Sequence, residues 1–206
     1  MAEIIKARKL NEKIIGKIIE KLRKGAVIIY PTETCYGLGC SIKAKKAIER
    51  IYKIKKRNKN KALSVIVSSE GIIGRYAKIG VKEKLLMKKF MPGPLTIVAE
   101  KKENVPEILS KEGIAFRIPG NKTALKLCRQ LNEPIITTSA NLEGEKEIYS
   151  AGEAIKKFSG KVDIIVDAGV IPKRKPSTIY DAKAGKVLRE GKIKEKEIIK
   201  VLEKLK

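Results

Sequence analysis

Short apolar runs, each emptying into a polar patch, alternate with segments of helical periodicity along most of this chain. No other feature restricts the fold as strongly. A short apolar run bounded by polar groups is a buried strand, and helices between such strands cover a sheet. Residues 26–30, Ala-Val-Ile-Ile-Tyr, read as one of these strands, closed by Pro31. Before it, Ile14, Ile15, Ile18, Ile19 and Leu22 recur at helical spacing, with Gly25 where a C-terminal cap belongs. Residues 32–39 read as a polar, glycine-bearing loop. It leads to a helix with Ala44, Ala47, Ile48 and Ile51 on one face and the cluster Lys53, Lys55, Lys56 and Arg57 at its end.

Further strands are expected at residues 63–67, 95–99, 114–118, 134–138, 162–166, 177–180 and 186–188. Helices are expected at 81–91, stopped by Pro92-Gly93-Pro94, and at 123–131. Ser150 and Glu153 form a capping box for a helix through Phe158, and Ile198, Ile199, Leu202 and Leu205 mark a last helix. No repeat or low-complexity tract intervenes, and residues 169–176, rich in Pro, Lys and Arg, are the best loop candidate. The expectation is one α/β domain over residues 1–206 with an open mixed sheet and flanking helices, the final helix occupying about 194–206.

Composition narrows the chemistry. Hydrophobic residues make up 43% of the chain, enough for a continuous core. No apolar run approaches the roughly 18 residues that cross a bilayer, and the opening MAEIIKARKL lacks a signal-peptide pattern, so a cytoplasmic protein is expected. There is no histidine, and Cys35, Cys40 and Cys128 contain no C-x-x-C pair. A zinc site or disulfide framework therefore has few groups to draw on, and no metal-ligating residues are nominated. Without histidine the usual general base of serine and cysteine hydrolases is missing as well. Catalysis must run on cations, hydroxyls, carboxylates and backbone amides. The 47 Lys and Arg against 23 Asp and Glu leave a formal charge of +24, which attracts nucleotides or RNA. A solvated surface of the thermophile kind, with Gln130 the sole glutamine, accounts for that charge equally well.

Standard nucleotide fingerprints are absent: there is no G-x-x-x-x-G-K-[ST] run, and Gly37-Leu-Gly39 lacks a third glycine. Four polar patches nevertheless fall at strand ends, the usual place for a site in open α/β sheets. Residues 31–39 offer hydroxyls and amides to a small polar ligand, or simply cap a helix. Lys55-Lys-Arg-Asn-Lys59 suits a triphosphate, or is a solvated helix end. Arg117, inside the apolar strand before Pro119, is costly to bury unless paired, either with a ligand carboxylate or within the protein. Thr137-Thr-Ser-Ala-Asn141 suits phosphate oxygens or a base edge, or stabilises a turn.

With these residues in view, the chain resembles the YrdC family of threonylcarbamoyl-adenylate synthases. Residues 31–39 look like its opening motif, Lys55-x-Arg57 its basic pair, and residues 90–96 its PGPLT segment. Phe116-Arg-Ile-Pro119, Thr138-Ser-Ala-Asn141, Ser177-Thr-Ile-Tyr-Asp181 and Arg189-Glu-Gly191 follow in the family's order, and the motif-bearing core spans about residues 14–191. The resemblance implies a twisted sheet around a large basic cavity. It also implies a nucleotidyltransferase joining L-threonine, bicarbonate and ATP into threonylcarbamoyl-AMP and pyrophosphate, the first step in modifying an adenosine beside the tRNA anticodon. Thr32, Ser64, Arg117, Thr137 and Ser177 would then line the threonine pocket. Lys55, Lys59, Ser139, Asn141 and Arg189 would hold ATP, with Arg57 beside them, and Lys55, Arg57 and Arg117 would be the catalytic cations. Magnesium would accompany ATP without a dedicated protein site. Further partners would be tRNA and a threonylcarbamoyl-transferase complex acting downstream.

Asn58 and Ala62 stand where prolines often follow the basic pair, which predicts a looser loop, and Asn121 stands where relatives often carry histidine. After Arg189 there is no room for the extra C-terminal domain of longer relatives, so a flexible N-terminus or a partner is expected to close the pocket. Two other readings remain open on sequence. A non-catalytic module for double-stranded RNA or tRNA fits the charge, although aromatics are only 4%, few for base stacking. Carbamoyl transfer of the hydrogenase-maturation kind uses a similar domain but in longer chains with zinc-binding cysteine pairs.

Overall fold

Residues 1–111 and 113–205 are described by the computed structural model. In chain order the strands are β1 (Glu3–Lys6), β2 (Ile28–Pro31), β3 (Tyr36–Gly39), β4 (Ser64–Ile66) and β5 (Leu95–Glu100). They continue as β6 (Gly113–Arg117), β7 (Ile135–Ser139), β8 (Ile164–Asp167), β9 (Thr178–Asp181) and β10 (Lys186–Arg189). The helices are α1 (Glu12–Arg23), α2 (Lys45–Lys55), α3 (Glu70–Ile73), α4 (Val81–Phe90), α5 (Lys122–Leu131), α6 (Ala151–Phe158) and α7 (Glu195–Leu202). One sheet results, in the order β1-β8-β2-β3-β7-β4-β6-β5-β9-β10. Parallel pairs such as β4 with β6 lie beside antiparallel ones such as β3 with β7, so the sheet is mixed as expected. No helix among the described residues is long and apolar enough to cross a membrane.

Successive side chains of a strand point to opposite faces, and this pleat sorts the core in two. Ile29, Leu38, Val65, Phe116, Ile136 and Ile165 belong to a large cluster that takes in Ile48 and Ile51 of α2, Leu86 of α4 and Phe158 of α6. Their neighbours Ile28, Tyr30, Ile66, Ile135, Ile164 and Val166 join a smaller cluster on the other face, under Ile15, Ile18 and Leu22 of α1 and Leu127 and Leu131 of α5. Those two helices pack on each other and α5 packs on β2, so they cover one end of the second face. The polar strand residues at the other end of that face border an open cavity.

Local signals account for most boundaries. The Asn11 side chain accepts from the Ile14 amide at 2.9 Å and opens α1, and Asn121 accepts from Thr123 and Ala124 at 2.9 and 3.1 Å to open α5. The asparagine that departs from the family pattern is therefore an N-cap. Three expectations need correction. Ser150 sits at the N-cap of α6 but makes no capping bond, so the capping box is absent. Residues 32–39 are not one loop but the turn (32–35) and second strand of a hairpin: β3 runs antiparallel to β2, pairing Ile28 with Gly39 and Pro31 with Tyr36. Its glycines concealed the alternation, because Gly37 and Gly39 carry no side chain to mark the polar face. The last helix stops at Leu202, with a 3-10 turn at Glu203–Leu205, and residue 206 lies outside the described residues.

Gly39 has a packing reason. A Cβ there would lie 2.1 Å from the Ile136 carbonyl oxygen, so β3 and β7 could not remain paired. Gly39→Ala is expected to cost about 3 kcal/mol or more in denaturant unfolding, the upper range of overpacking. Asn121→Ala removes one cap and is expected to cost about 1 kcal/mol. Equal midpoints for both variants and the parent chain would contradict this account.

Candidate functional site

Polar residues at alternate strand positions converge on a cavity of about 270 Å³. Gly37 of β3, Ser64 of β4, Thr96 of β5, Arg117 of β6, Thr137 and Ser139 of β7 and Ile179 of β9 line it. Registry brings them together: Ser64 lies opposite Thr137, Gly37 opposite Ser139, and Thr96 opposite Ile179. Each sits one residue away from a core side chain on the opposite face, for example Arg117 after Phe116 and Ser64 before Val65. The strand period thus supplies both the apolar layer and the polar lining.

Loops complete the wall. Thr32 closes the hairpin turn, its hydroxyl donating to the Cys35 carbonyl at 2.6 Å and accepting from the amides of Thr34 and Cys35 at 3.1 and 3.2 Å. Tyr30 donates to the Thr137 hydroxyl at 2.9 Å and fixes it from below. The Gly93 amide donates to the Ile118 carbonyl at 2.9 Å, which pins the Pro-Gly-Pro segment beside Arg117. Thr96 donates to the Ser177 hydroxyl at 3.0 Å, and Arg189 donates to the Ser177 carbonyl at 2.8 Å and to its hydroxyl at 3.1 Å. A Cβ at residue 191 would fall 2.1 Å from the Pro176 carbonyl oxygen, so Gly191 lets the two segments carrying Arg189 and Ser177 approach.

Eight of the residues singled out by sequence line this cavity: Thr32, Arg57, Ser64, Arg117, Thr137, Ser139, Ser177 and Arg189. Three do not. Lys55, 2% exposed, lies behind the lining and donates to the carbonyls of Ser139 and Asn141 at 2.6 and 2.8 Å and to Asn141 Oδ1 at 3.0 Å. Its three protons are thus taken by the protein, and it ties the end of β7 to α2. Asn141 is part of the same knot: its Oδ1 also accepts from the Ser139 hydroxyl at 2.6 Å, and its amide group donates to the Glu145 carbonyl. Lys59 is exposed in the loop after α2. That loop is held rather than loose, because Arg57 donates to the carbonyls of Lys61 and Ala62 at 3.2 and 3.0 Å and Asn58 accepts from the Asn60 amide at 2.9 Å.

Sequence reasoning missed Thr34, Cys35, Thr96, Thr138, Glu147, Tyr149, Arg174 and Pro176, which also line the cavity. Thr34, Cys35, Thr96 and Thr138 stood inside quoted motifs, and the hydroxyl of Thr96 in an otherwise apolar strand was a readable signal. Tyr149, Arg174 and Pro176 come from irregular segments with no period to betray them. Burial raises the Cys35 thiol pKa, so this cysteine is held as a thiol and is a poor nucleophile. Burial lowers the Lys55 pKa to about 8, with the neighbouring Arg57 charge adding to it. Burial also disfavours the charge on Arg189, and Arg117 beside it does so further. Crowded, partly desolvated cations of this kind are stabilised by an anionic ligand.

Arg117 also faces Glu33, with Nη1 3.4 Å from Oε1. Both alternatives raised by the sequence are therefore present: an internal partner behind the arginine, and an open cavity before it. Among the described residues no group of three or more metal-ligating side chains is gathered.

Known proteins share the sequence pattern and the fold of this chain. The family model for Sua5, YciO and YrdC, which carries the description "Telomere recombination", matches residues 20–191. The chain is 37% identical over 198 residues to a Methanocaldococcus jannaschii protein provisionally named threonylcarbamoyl-AMP synthase, a match covering 93% of this chain and 94% of that one. It is 35% identical over 184 residues to the threonylcarbamoyl-AMP synthase of Pseudoalteromonas translucida, covering 87% of this chain and 98% of that one. The crystal structure of P. abyssi Sua5 complexed with L-threonine superposes with a TM-score of 0.89 at 32% identity over 98% of this chain. This chain spans about three fifths of that Sua5 chain, 61% of its length. The motif order, the cavity and these matches agree, and the chain belongs to the Sua5/YciO/YrdC family.

Proposed function

We propose that the cavity joins L-threonine, bicarbonate and ATP into threonylcarbamoyl-AMP and pyrophosphate, the first step of threonylcarbamoyladenosine formation in tRNA. The observation that carries this reading is the meeting of Arg57, Arg117 and Arg189 with a floor of hydroxyls in one cavity. Two curated relatives bear the name of this activity over nearly their whole length, and a related Sua5 was crystallised with threonine.

Arg117 takes the threonine carboxylate, since a guanidinium fork matches two carboxylate oxygens. Thr32, Ser64, Thr137 and Ser177 surround the rest of the amino acid. Arg189, Ser139 and Arg57 take the nucleotide phosphates, and Lys55 and Asn141 shape the turn that presents Ser139. Because Arg189 bonds to Ser177, the amino-acid and nucleotide groups adjoin there. The threonine amine, once deprotonated, condenses with bicarbonate to a carbamate and water. A carbamate oxygen then forms a bond to the α-phosphorus while the bond to pyrophosphate breaks. Charge neutralisation and alignment carry this adenylyl transfer, and no histidine is required. Magnesium enters on the triphosphate as part of the substrate, held by phosphate oxygens and water. The product passes to the enzyme that transfers its threonylcarbamoyl group to the tRNA adenosine.

Incubation with radiolabelled bicarbonate, threonine and ATP is expected to yield a labelled adenylate and pyrophosphate, and absence of both would reject the proposal. Arg117→Lys is expected to raise the threonine KM by roughly tenfold or more, since lysine loses the bidentate bond; an unchanged KM removes Arg117 from that role. With threonine saturating, kcat/KM for ATP is expected to fall as pH rises through about 8, because Lys55 then loses a proton and with it one of the three hydrogen bonds that hold the Ser139 turn. A flat profile to pH 9 contradicts that assignment.

A further inference from the structure

Glu33 occupies the hairpin turn next to Thr32, yet it does not line the substrate cavity. It borders a second hollow behind the turn, together with Gly120, Asn121 and Arg174. Its side chain is 10% exposed and that of Arg117 8%, and they meet at 3.4 Å, long for a charge-assisted bond. Both Glu33 carboxylate oxygens and the Arg117 Nε are enclosed without any hydrogen-bond partner among the described residues. Among the described residues no other carboxylate comes within 4.0 Å of Arg117. A buried pair this loose recovers little of its desolvation cost, so folding alone gives no reason to keep it. Four arginines at the cavity (Arg57, Arg117, Arg174 and Arg189), on the other hand, would grip a product carrying both a carboxylate and a phosphate, and equal tightening of substrate and product slows turnover.

We propose that Glu33 is a positioning residue that competes for Arg117 from within the protein. In the empty site it supplies the counter-charge that keeps the guanidinium folded inside. When the threonine carboxylate arrives, the two carboxylates flank one guanidinium and repel each other. Each offsets part of the other's attraction, and the adenylated product, which still carries the threonine carboxylate, is released more readily. This inference rests on the reading that Arg117 binds that carboxylate.

Titration calorimetry with L-threonine and with L-threoninamide, which lacks the carboxylate charge, separates the two claims in the parent chain, Glu33→Gln and Glu33→Asp. Glu33→Gln is expected to bind threonine about tenfold more tightly, to melt at lower temperature without it, and to leave ATP affinity unchanged. Glu33→Asp keeps the charge and is expected to bind as the parent does. Structural damage alone would weaken threonine binding, the opposite sign. If the parent prefers threonine over threoninamide but Glu33→Gln binds threonine equally or less tightly, the competitor role is overturned and the Arg117 reading stands. A parent that binds both ligands alike overturns both. Should Glu33→Gln fold only in the presence of threonine, that dependence is the expected outcome, whereas a chain that threonine does not rescue contradicts it.

Discussion

The pleat of the central strands is the constraint on which the site depends. Phe116 must face the large core, so Arg117 faces the other side; Val65 and Ile136 do the same for Ser64 and Thr137. A slip of one residue in any of these strands would turn its polar group into the core and its apolar group into the cavity. Register is therefore set by the hydrophobic core, and the chemistry inherits its geometry from that setting. Gly39 belongs to the same mechanism, since only a residue without Cβ lets β3 approach β7 and bring Gly37 opposite Ser139.

Gathering cations around such a floor, with Lys55 and Arg117 buried and Arg189 partly desolvated, carries a penalty that the chain meets in three ways. Lys55 is satisfied by two carbonyl oxygens and one amide oxygen. Arg189 is half satisfied by Ser177, leaving the rest of its guanidinium facing the cavity. Among the described residues Arg117 has only the Glu33 carboxylate, 3.4 Å away. The groups are thus graded from a fully bonded strut to an arginine whose hydrogen-bonding capacity is largely unused, and the unused capacity is what an anionic ligand can fill.

Much of this organisation was legible in the sequence, because the strands that carry the site are also the ones whose cores are strongly apolar. The runs 26–30, 114–118 and 134–138 announced themselves by hydrophobicity, and polar residues inside them or just after them line the cavity. The β3 strand was hidden because glycine carries no polarity signal, and β1 because Glu3–Lys6 has only two apolar residues and no glycine or proline to bound it. Tyr149 and Arg174 were invisible because their segments are placed by tertiary pairing: the Ile171 amide on the Tyr149 carbonyl, and Ser150 bridged to Val170. Lys55 stood out in the sequence as a cation at a helix end, but its inward direction did not, since only packing decides whether such a lysine turns outward or inward.

The absence of histidine has a consistent physical meaning in this setting. Joining a carbamate to an α-phosphorus moves negative charge between oxygens and asks for little proton transfer at the moment the bond forms. Fixed guanidinium groups keep their charge across the physiological range, whereas an imidazole would lose part of its own near neutrality. A cavity walled by Arg57, Arg117 and Arg189 therefore presents a constant field to the phosphates, and the hydroxyls of Thr32, Ser64, Thr137 and Ser177 supply direction without adding charge. The same constancy has a cost, because a field that never relaxes also holds the product. The Glu33 carboxylate behind Arg117 tempers that field from within the protein.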